Sequence, residues 1–335
     1  MDVTYKFVNY GKRLEPAERT LVLDVGMKTV PGVIDHHHPD AEAECTASLI
    51  TKHPRLVLDH IRDSDPLTII THRLPDFDSL ASIFLSLKLL ESGRIDAPME
   101  KIAAYTKLVD SASLPKNIDL SGTPYAVLRA LFSGAKKSEE EINVDRLGQG
   151  LKFMGFLYAK AEEAYEIVEC RQLFAGIDRY ERAMRKVEDD YFAYLADLAR
   201  GRALSLWLPR TDLPGRKRVD GLIVVNPRSF LTKEWTRRDK EHPVLGQGFS
   251  FLMTNFGDTR FILGVDPEQG ISLRGLGGRL NEREREKREA SARDFVAWYE
   301  GNCPFFSFRI IDSPQDGTAL DPDEISDIVT DFGRE

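Results

Sequence analysis

Cysteine is scarce: three residues in 335, Cys45, Cys170 and Cys303, odd in number and without Cys-x-x-Cys spacing. Neither a disulfide framework nor a cysteine-based zinc site is expected, and a reducing cytoplasm is the simplest home. Long apolar runs are missing as well; none nears the ~20 residues of a membrane span. The opening segment, with Asp2, Lys6 and Lys12 around a short β-rich run, does not read as a signal peptide. The chain's 24 Gly and 17 Pro follow no period, which sets aside collagen-like and low-complexity chains. There is no excess of positive charge: 46 basic against 54 acidic residues leave a net −8. The whole-molecule footprint for long nucleic acid is therefore absent, although a local basic groove stays open.

What is present is an ordinary globular composition, 42% hydrophobic and 30% charged, long enough for two domains. The first 120 residues alternate short β-rich runs with helical patterns. Thr20 to Asp24, Gly32 to Asp35 and Leu67 to His72 read as strands. Thr46 to Ile61 (interrupted at Pro54), Ser79 to Leu90 (closed by Gly93) and Ala97 to Ser111 (Asp96 as N-cap, Pro98 in the first turn) read as helices. This alternation predicts an α/β layer with a parallel sheet. From Pro124 to Arg200 the pattern is helical, broken near Gly176. A second mixed region follows, with strands at Ala203 to Leu208, Val219 to Val225, Phe249 to Thr254, Arg260 to Val265 and Phe305 to Ile311. A helix is expected over Asn281 to Tyr299, whose opening charge run reads as a solvated face. The chain thus divides into an α/β domain over 1–122, a helical connector over 123–199 and a smaller α/β domain over 200–335, the boundary lying between Leu195 and Arg202.

The histidines are not spread evenly. Six of seven (His36, His37, His38, His53, His60 and His72) fall between positions 36 and 72. The first strand run ends at Asp24, the second at Asp35-His36-His37-His38, and the third at His72, followed by Asp76 and Asp78. Sites in open α/β sheets form beyond the carboxyl ends of the strands, so three strands deliver carboxylate and imidazole to one edge. Several Asp with two or three His suit Mn²⁺, Mg²⁺ or a related divalent ion rather than structural zinc. Crowded carboxylates repel unless cations neutralise them, and a pair of metals suits displacement at phosphorus. Taken singly, each Asp reads as a turn or cap residue and each His as a packing residue. His53 and His60, in a helical segment, read as surface residues. The joint placement at three strand ends is what points to a metal site.

The run VIDHHHPDAEAECTASLI resembles the Asp-His-His motif of the DHH phosphoesterase superfamily, and THRLPDFDS resembles its HxxPDxDS motif. LDVG and YTKLVDSA resemble the shorter motifs that supply a bridging and a last aspartate. The resemblance covers positions 20 to 112 and implies a DHH-like catalytic domain, with the second domain as the substrate domain. It implies that His72 and Asp76 hold one metal, that His36, Asp78 and Asp110 hold the second, and that Asp24 bridges both. His37 would face the substrate phosphate as a donor, and Asp35 would orient a histidine from behind. His38 has no assigned role beyond a structural or outer one. Asp63 and Asp65 compete with Asp110, which the YTKLVDSA context favours. The motif order departs from the family, whose chains run HxxPDxDS, bridging Asp, DHH, last Asp; here HxxPDxDS follows DHH, so the strand order is open.

In the second domain, Ile271 to Leu280 (ISLRGLGGRL) is a strand end, a glycine-rich turn and a helix start. Gly277 and Gly278 allow close backbone approach, a helix N-terminus favours an anion, and Arg274 and Arg279 add charge-assisted bonds, so these four are candidate substrate-binding residues. An ordinary glycine-containing connection is the competing reading. Many DHH enzymes carry an arginine before a glycine-rich loop, which usually ends in His; Arg279 and Leu280 stand there instead. The expectation is a two-metal phosphoesterase (Mn²⁺ first, Mg²⁺ or Co²⁺ as alternatives) with a metal-activated water as nucleophile. Its substrate would be a phosphate ester or anhydride of a short oligonucleotide (RNA or DNA) or small nucleotide. A pyro- or polyphosphatase, a non-catalytic nucleotide-binding module retaining the metal shell, and a metal-dependent hydrolase of a non-phosphate substrate are the alternatives. The sequence leaves the oligomeric state open.

Overall fold

The computed structural model describes residues 2–61, 66–132, 138–163, 165–168, 171–257 and 259–334; Asp63, Asp65 and Cys170 lie outside them. The chain is mixed α/β and divides into two compact units. One comprises residues 1–187 with Cys303–Phe305, and the other comprises 188–302 with 306–335.

The first unit is built on a sheet of β1 (Val3–Val8), β2 (Thr20–Leu23), β3 (Thr29–Val30), β4 (Val33–Ile34) and β5 (Leu67–His72), in the order β1-β5-β2-β4-β3. All neighbours are parallel except the β3–β4 hairpin, which turns at Pro31-Gly32. The central strand β2 is buried over Leu21, Val22 and Leu23, the continuous apolar run expected of a parallel strand covered on both faces. Between β4 and β5 come α1 (Thr46–Lys52) and α2 (Arg55–Leu58), separated at Pro54 as the sequence predicts. After β5 come α3 (Phe77–Ser92) and α4 (Ala97–Asp110), then α5 (Pro124–Phe132) and α6 (Glu139–Glu162). Asp76 caps α3 by accepting from Ser79 N–H, and Gly93 ends it at φ 71°. Asp96 caps α4, and a Ser138/Glu141 capping box opens α6. Gly150 lets α6 approach α3 closely, because a Cβ there would strike Leu80.

Helix α7 (Asp178–Arg200) follows the break at Gly176, and the division between units falls inside it, at Val187/Glu188, rather than between Leu195 and Arg202. The second unit has β6 (Arg202–Pro209), β7 (Arg216–Val225), α8 (Thr232–Arg238), β8 (Phe251–Phe256), β9 (Arg260–Val265), α9 (Leu276–Ala290), β10 (Ile310–Asp312) and α10 (Pro322–Phe332). Its sheet runs β10-β9-β8-β7-β6, with only β7–β8 parallel. Alternate residues of β7 serve two cores: Val219 and Ile223 join Leu276, Leu280, Ile325 and Val329, whereas Leu222 and Val224 join Leu198 and Phe249.

Two expected elements differ. The helix expected over Asn281 to Tyr299 instead starts at Leu276 and ends at Ala290. Beyond it the chain folds back: buried Arg288 donates to the Asp294 carbonyl and pairs with Glu284 and Asp316, while Asn281 accepts the Trp298 N–H. The strand expected over Phe305 to Ile311 is limited to Ile310–Asp312, because Ser307 and Phe308 are left-handed (φ 50° and 61°), which an extended strand excludes.

Candidate metal centre

The carboxyl ends of β2, β4 and β5 deliver Asp24, the Asp35-His36-His37 run and His72 to one edge of the first sheet, and the end of α4 adds Asp110. Three sets of donor atoms, each within 4.8 Å of one another, could hold a metal ion: Asp24 with His72 and Asp76; His36 with Asp78 and Asp110; and Asp24 with Asp35, His36 and His37. The six residues expected as ligands thus come together, with Asp24 in two of the sets. His38 is in none of them; its ring meets the Thr29 hydroxyl at 3.1 Å. His53 pairs with Glu42 and His60 with the Ala17 carbonyl; both are half-buried, and neither is in the donor sets.

Asp24 is the hub. Its backbone is left-handed at φ 62°, and its buried carboxylate accepts from the Thr46 hydroxyl at 3.2 Å and the Ser79 hydroxyl at 2.8 Å. His72 Nε2 lies 3.2 Å from one Asp24 oxygen, and His36 Nδ1 lies 3.6 Å from the other. His36 Nε2 is 3.4 Å from Asp110. At 2.8 Å from the Arg73 carbonyl, which can only accept, His72 Nδ1 must carry hydrogen. That bond fixes the ring and turns Nε2 toward Asp24 and Asp76, the orientation a metal-ligating imidazole needs.

Asp78 also serves α1, whose N-cap Cys45 makes no side-chain cap bond. Its two oxygens accept the N–H groups of Thr46 at 2.8 Å and Ala47 at 2.9 Å. One carboxylate therefore joins the start of α3 to the start of α1. Met27, Leu74 and Ala112, in the loops around these residues, are left-handed as well. Such backbone is costly for side chains with a Cβ and gathers where surrounding structure holds a site.

Electrostatics reflect the crowding. Burial together with Asp24 and Asp110 pushes the Asp78 carboxyl well up. Burial would lower His72, but Asp76 and Asp24 override it and raise the imidazole well above its usual range. Burial and the neighbouring His37 hold His36 well down. His37 is raised to about 10, because the charge of Asp35 outweighs its burial. Mixed carboxylate and imidazole donors, with Asp78 and His72 both shifted toward their protonated forms by the crowding, fit a divalent cation that would neutralise the cluster.

Some site residues were not evident from the sequence. Tyr10, two residues beyond β1, sets its ring 4.1 Å from that of His72 and edge-on to His37 at 5.3 Å. The only sequence clue is that a parallel β1 must end at the same sheet edge. Phe305, within the first unit, lies edge-on to His36 at 4.8 Å.

In the second unit, Gly275 (φ 93°) starts α9. The Glu300 side chain fills the space beside Gly277, whereas Gly278 is open. The Arg274 guanidinium stacks on Phe308 at 4.3 Å, and that of Arg279 lies 5.4 Å from the Phe332 ring. Among the described residues, no helix is long and apolar enough to cross a membrane. No protein-family model, curated protein or solved structure matches this chain.

Proposed function

We propose that this protein is a divalent-metal-dependent phosphoesterase of the DHH type that hydrolyses a phosphate ester or anhydride, with a short oligonucleotide or small nucleotide as the favoured substrate. The observation that carries the reading is the convergence of Asp24, His36, His72, Asp76, Asp78 and Asp110 at one sheet edge, with Asp24 reaching toward both His72 and His36. The strand order supports it. Strands β5, β2 and β4 are neighbours in that order, so the HxxPDxDS-like, Asp24 and DHH-like segments stand side by side in the succession that the family writes along its chain.

Two divalent ions, Mn²⁺ in first place, would supply an activated water and neutralise phosphoryl charge. His72 and Asp76 would hold one ion, His36, Asp78 and Asp110 the other, with Asp24 between them. The Thr46 and Ser79 hydroxyls orient Asp24. His37, held by Asp35, would donate to a phosphoryl oxygen and so stabilise charge that grows there during displacement. The substrate would be a small phosphorylated molecule, in keeping with the net −8 charge. The test is turnover by purified protein, with Mn²⁺ or EDTA, of a generic phosphodiester, pyrophosphate and a short RNA. Mn²⁺-dependent hydrolysis of any of them supports the reading. Metal binding without turnover of any would point to a non-catalytic binding module.

A further inference from the structure

Helix α6 lies outside the segment in which the motifs fall, yet three of its residues hold the loop joining His72 to Asp76. Arg73 pairs with Glu139 at 2.9 Å. Leu74, left-handed at φ 55°, is engaged at both ends of its own residue: its N–H donates to Asn143 Oδ1 at 2.6 Å, and its carbonyl accepts from Arg146 Nη1 at 3.2 Å. Asn143 is buried, 3% exposed, and spends its carbonyl oxygen on this one bond. A leucine does not hold a left-handed conformation unaided, since its Cβ crowds the backbone. The chain needs that reversal to bring Asp76 back beside His72, where their donor atoms lie 3.7 Å apart.

Building on the metal-centre reading above, we infer that Asn143 and Arg146 are positioning residues for one of the two ions: by clamping Leu74 they set the spacing of the His72–Asp76 ligand pair. Neither hydrogen-bonds to a ligand atom; both hold the backbone between the ligands, and the Arg146 charge also acts on Asp76, which makes Asn143 the cleaner probe of the clamp. Loss of such support typically weakens metal affinity by roughly 10- to 100-fold without altering the ligands.

The test is Mn²⁺ titration of intact wild type, Asn143→Ala and Arg146→Met, followed by electron paramagnetic resonance and calorimetry, with thermal melting as a folding control. Wild type should bind two ions. Each variant should keep one at wild-type affinity and bind the other at least about tenfold more weakly. Asn143→Asp, which keeps the acceptor, should restore the weakened ion. Should Asn143→Ala fail to fold, Arg146→Met decides. A folded variant that binds both ions like wild type overturns the clamp alone. Wild type binding no Mn²⁺ overturns the metal-centre reading and the clamp with it.

Discussion

Asp35 grips His37 twice: one carboxylate oxygen accepts the His37 backbone N–H at 3.1 Å and its ring Nδ1–H at 2.6 Å. The other oxygen accepts the Met27 N–H at 2.6 Å, which anchors the pair to the loop after β2. Burial opposes ionisation of both groups, yet each charge stabilises the other, so His37 is raised to about 10 and the Asp35 carboxyl is held well below its usual range.

This pair gives the fold a pH signature in metal-free protein. The His37 contribution is fully present below the unfolded value of ~6.5 and is lost as pH rises through about 10. The Asp35 contribution is present above ~3.9 and is lost only as pH falls through its depressed value. Asp35→Asn in EDTA should therefore cost about 3–5 kcal/mol near pH 6, the usual penalty for stranding one partner of a buried pair. The loss should shrink markedly above about pH 10, where wild-type His37 is neutral too. Urea unfolding at both pH values checks this; an equal loss at both would refute the pairing.

Asp24→Asn should keep the fold and lose function. Asparagine tolerates the left-handed backbone, and its one oxygen can still accept from either Thr46 or Ser79, which reach different oxygens of Asp24; but it is neutral and its NH₂ cannot coordinate a cation. At least one ion should be lost or misplaced, and activity should fall at least ~10³-fold, on the order of 4 kcal/mol of transition-state stabilisation. Metal analysis and Mn²⁺-dependent turnover decide. Wild-type metal content at wild-type rate would make Asp24 a turn residue.

Mn²⁺ should stabilise the fold and release protons as it binds. An ion at about 100 times its Kd adds about 2.7 kcal/mol to the free energy of unfolding. The protons come from Asp78 and His72, both raised in the metal-free protein. Thermal melting in Mn²⁺ against EDTA reads the first effect. Calorimetry in two buffers of different ionisation enthalpy reads the second. An unchanged melting temperature together with buffer-independent heat would exclude the site.

Arg274→Ala should raise KM several-fold and leave metal content unchanged, if its guanidinium engages substrate phosphate. The competing role is visible in its stacking on Phe308. A variant that melts early with unaltered KM would make Arg274 a packing residue.

Local sequence determined the pieces. The strand Leu67–His72 and the caps Asp96 and Gly93 follow from patterns within a few residues, because hydrogen bonds of a cap and the burial of a short apolar run are local choices; the cap of α3 is Asp76, where the sequence predicts Asp78 or Ser79. The gathering of Asp and His at strand ends was legible for the same reason: a parallel strand's last residue points to one sheet edge wherever that strand sits. The order of those strands was not legible. Strand β5 comes last of the three in the chain yet lies beside β2, because sheet neighbours are set by long-range backbone pairing and burial, which chain order does not constrain. Tertiary structure alone set Tyr10 on His72, since eleven residues separate Val8 from β2 and β5 pairs between them. It also brought Asn143 to Leu74, paired buried Arg288 near the end of α9 with Asp316, and placed Glu300 against Gly277. Each is a contact between residues far apart in the chain, chosen by packing and hydrogen bonding in three dimensions, and no local pattern encodes it.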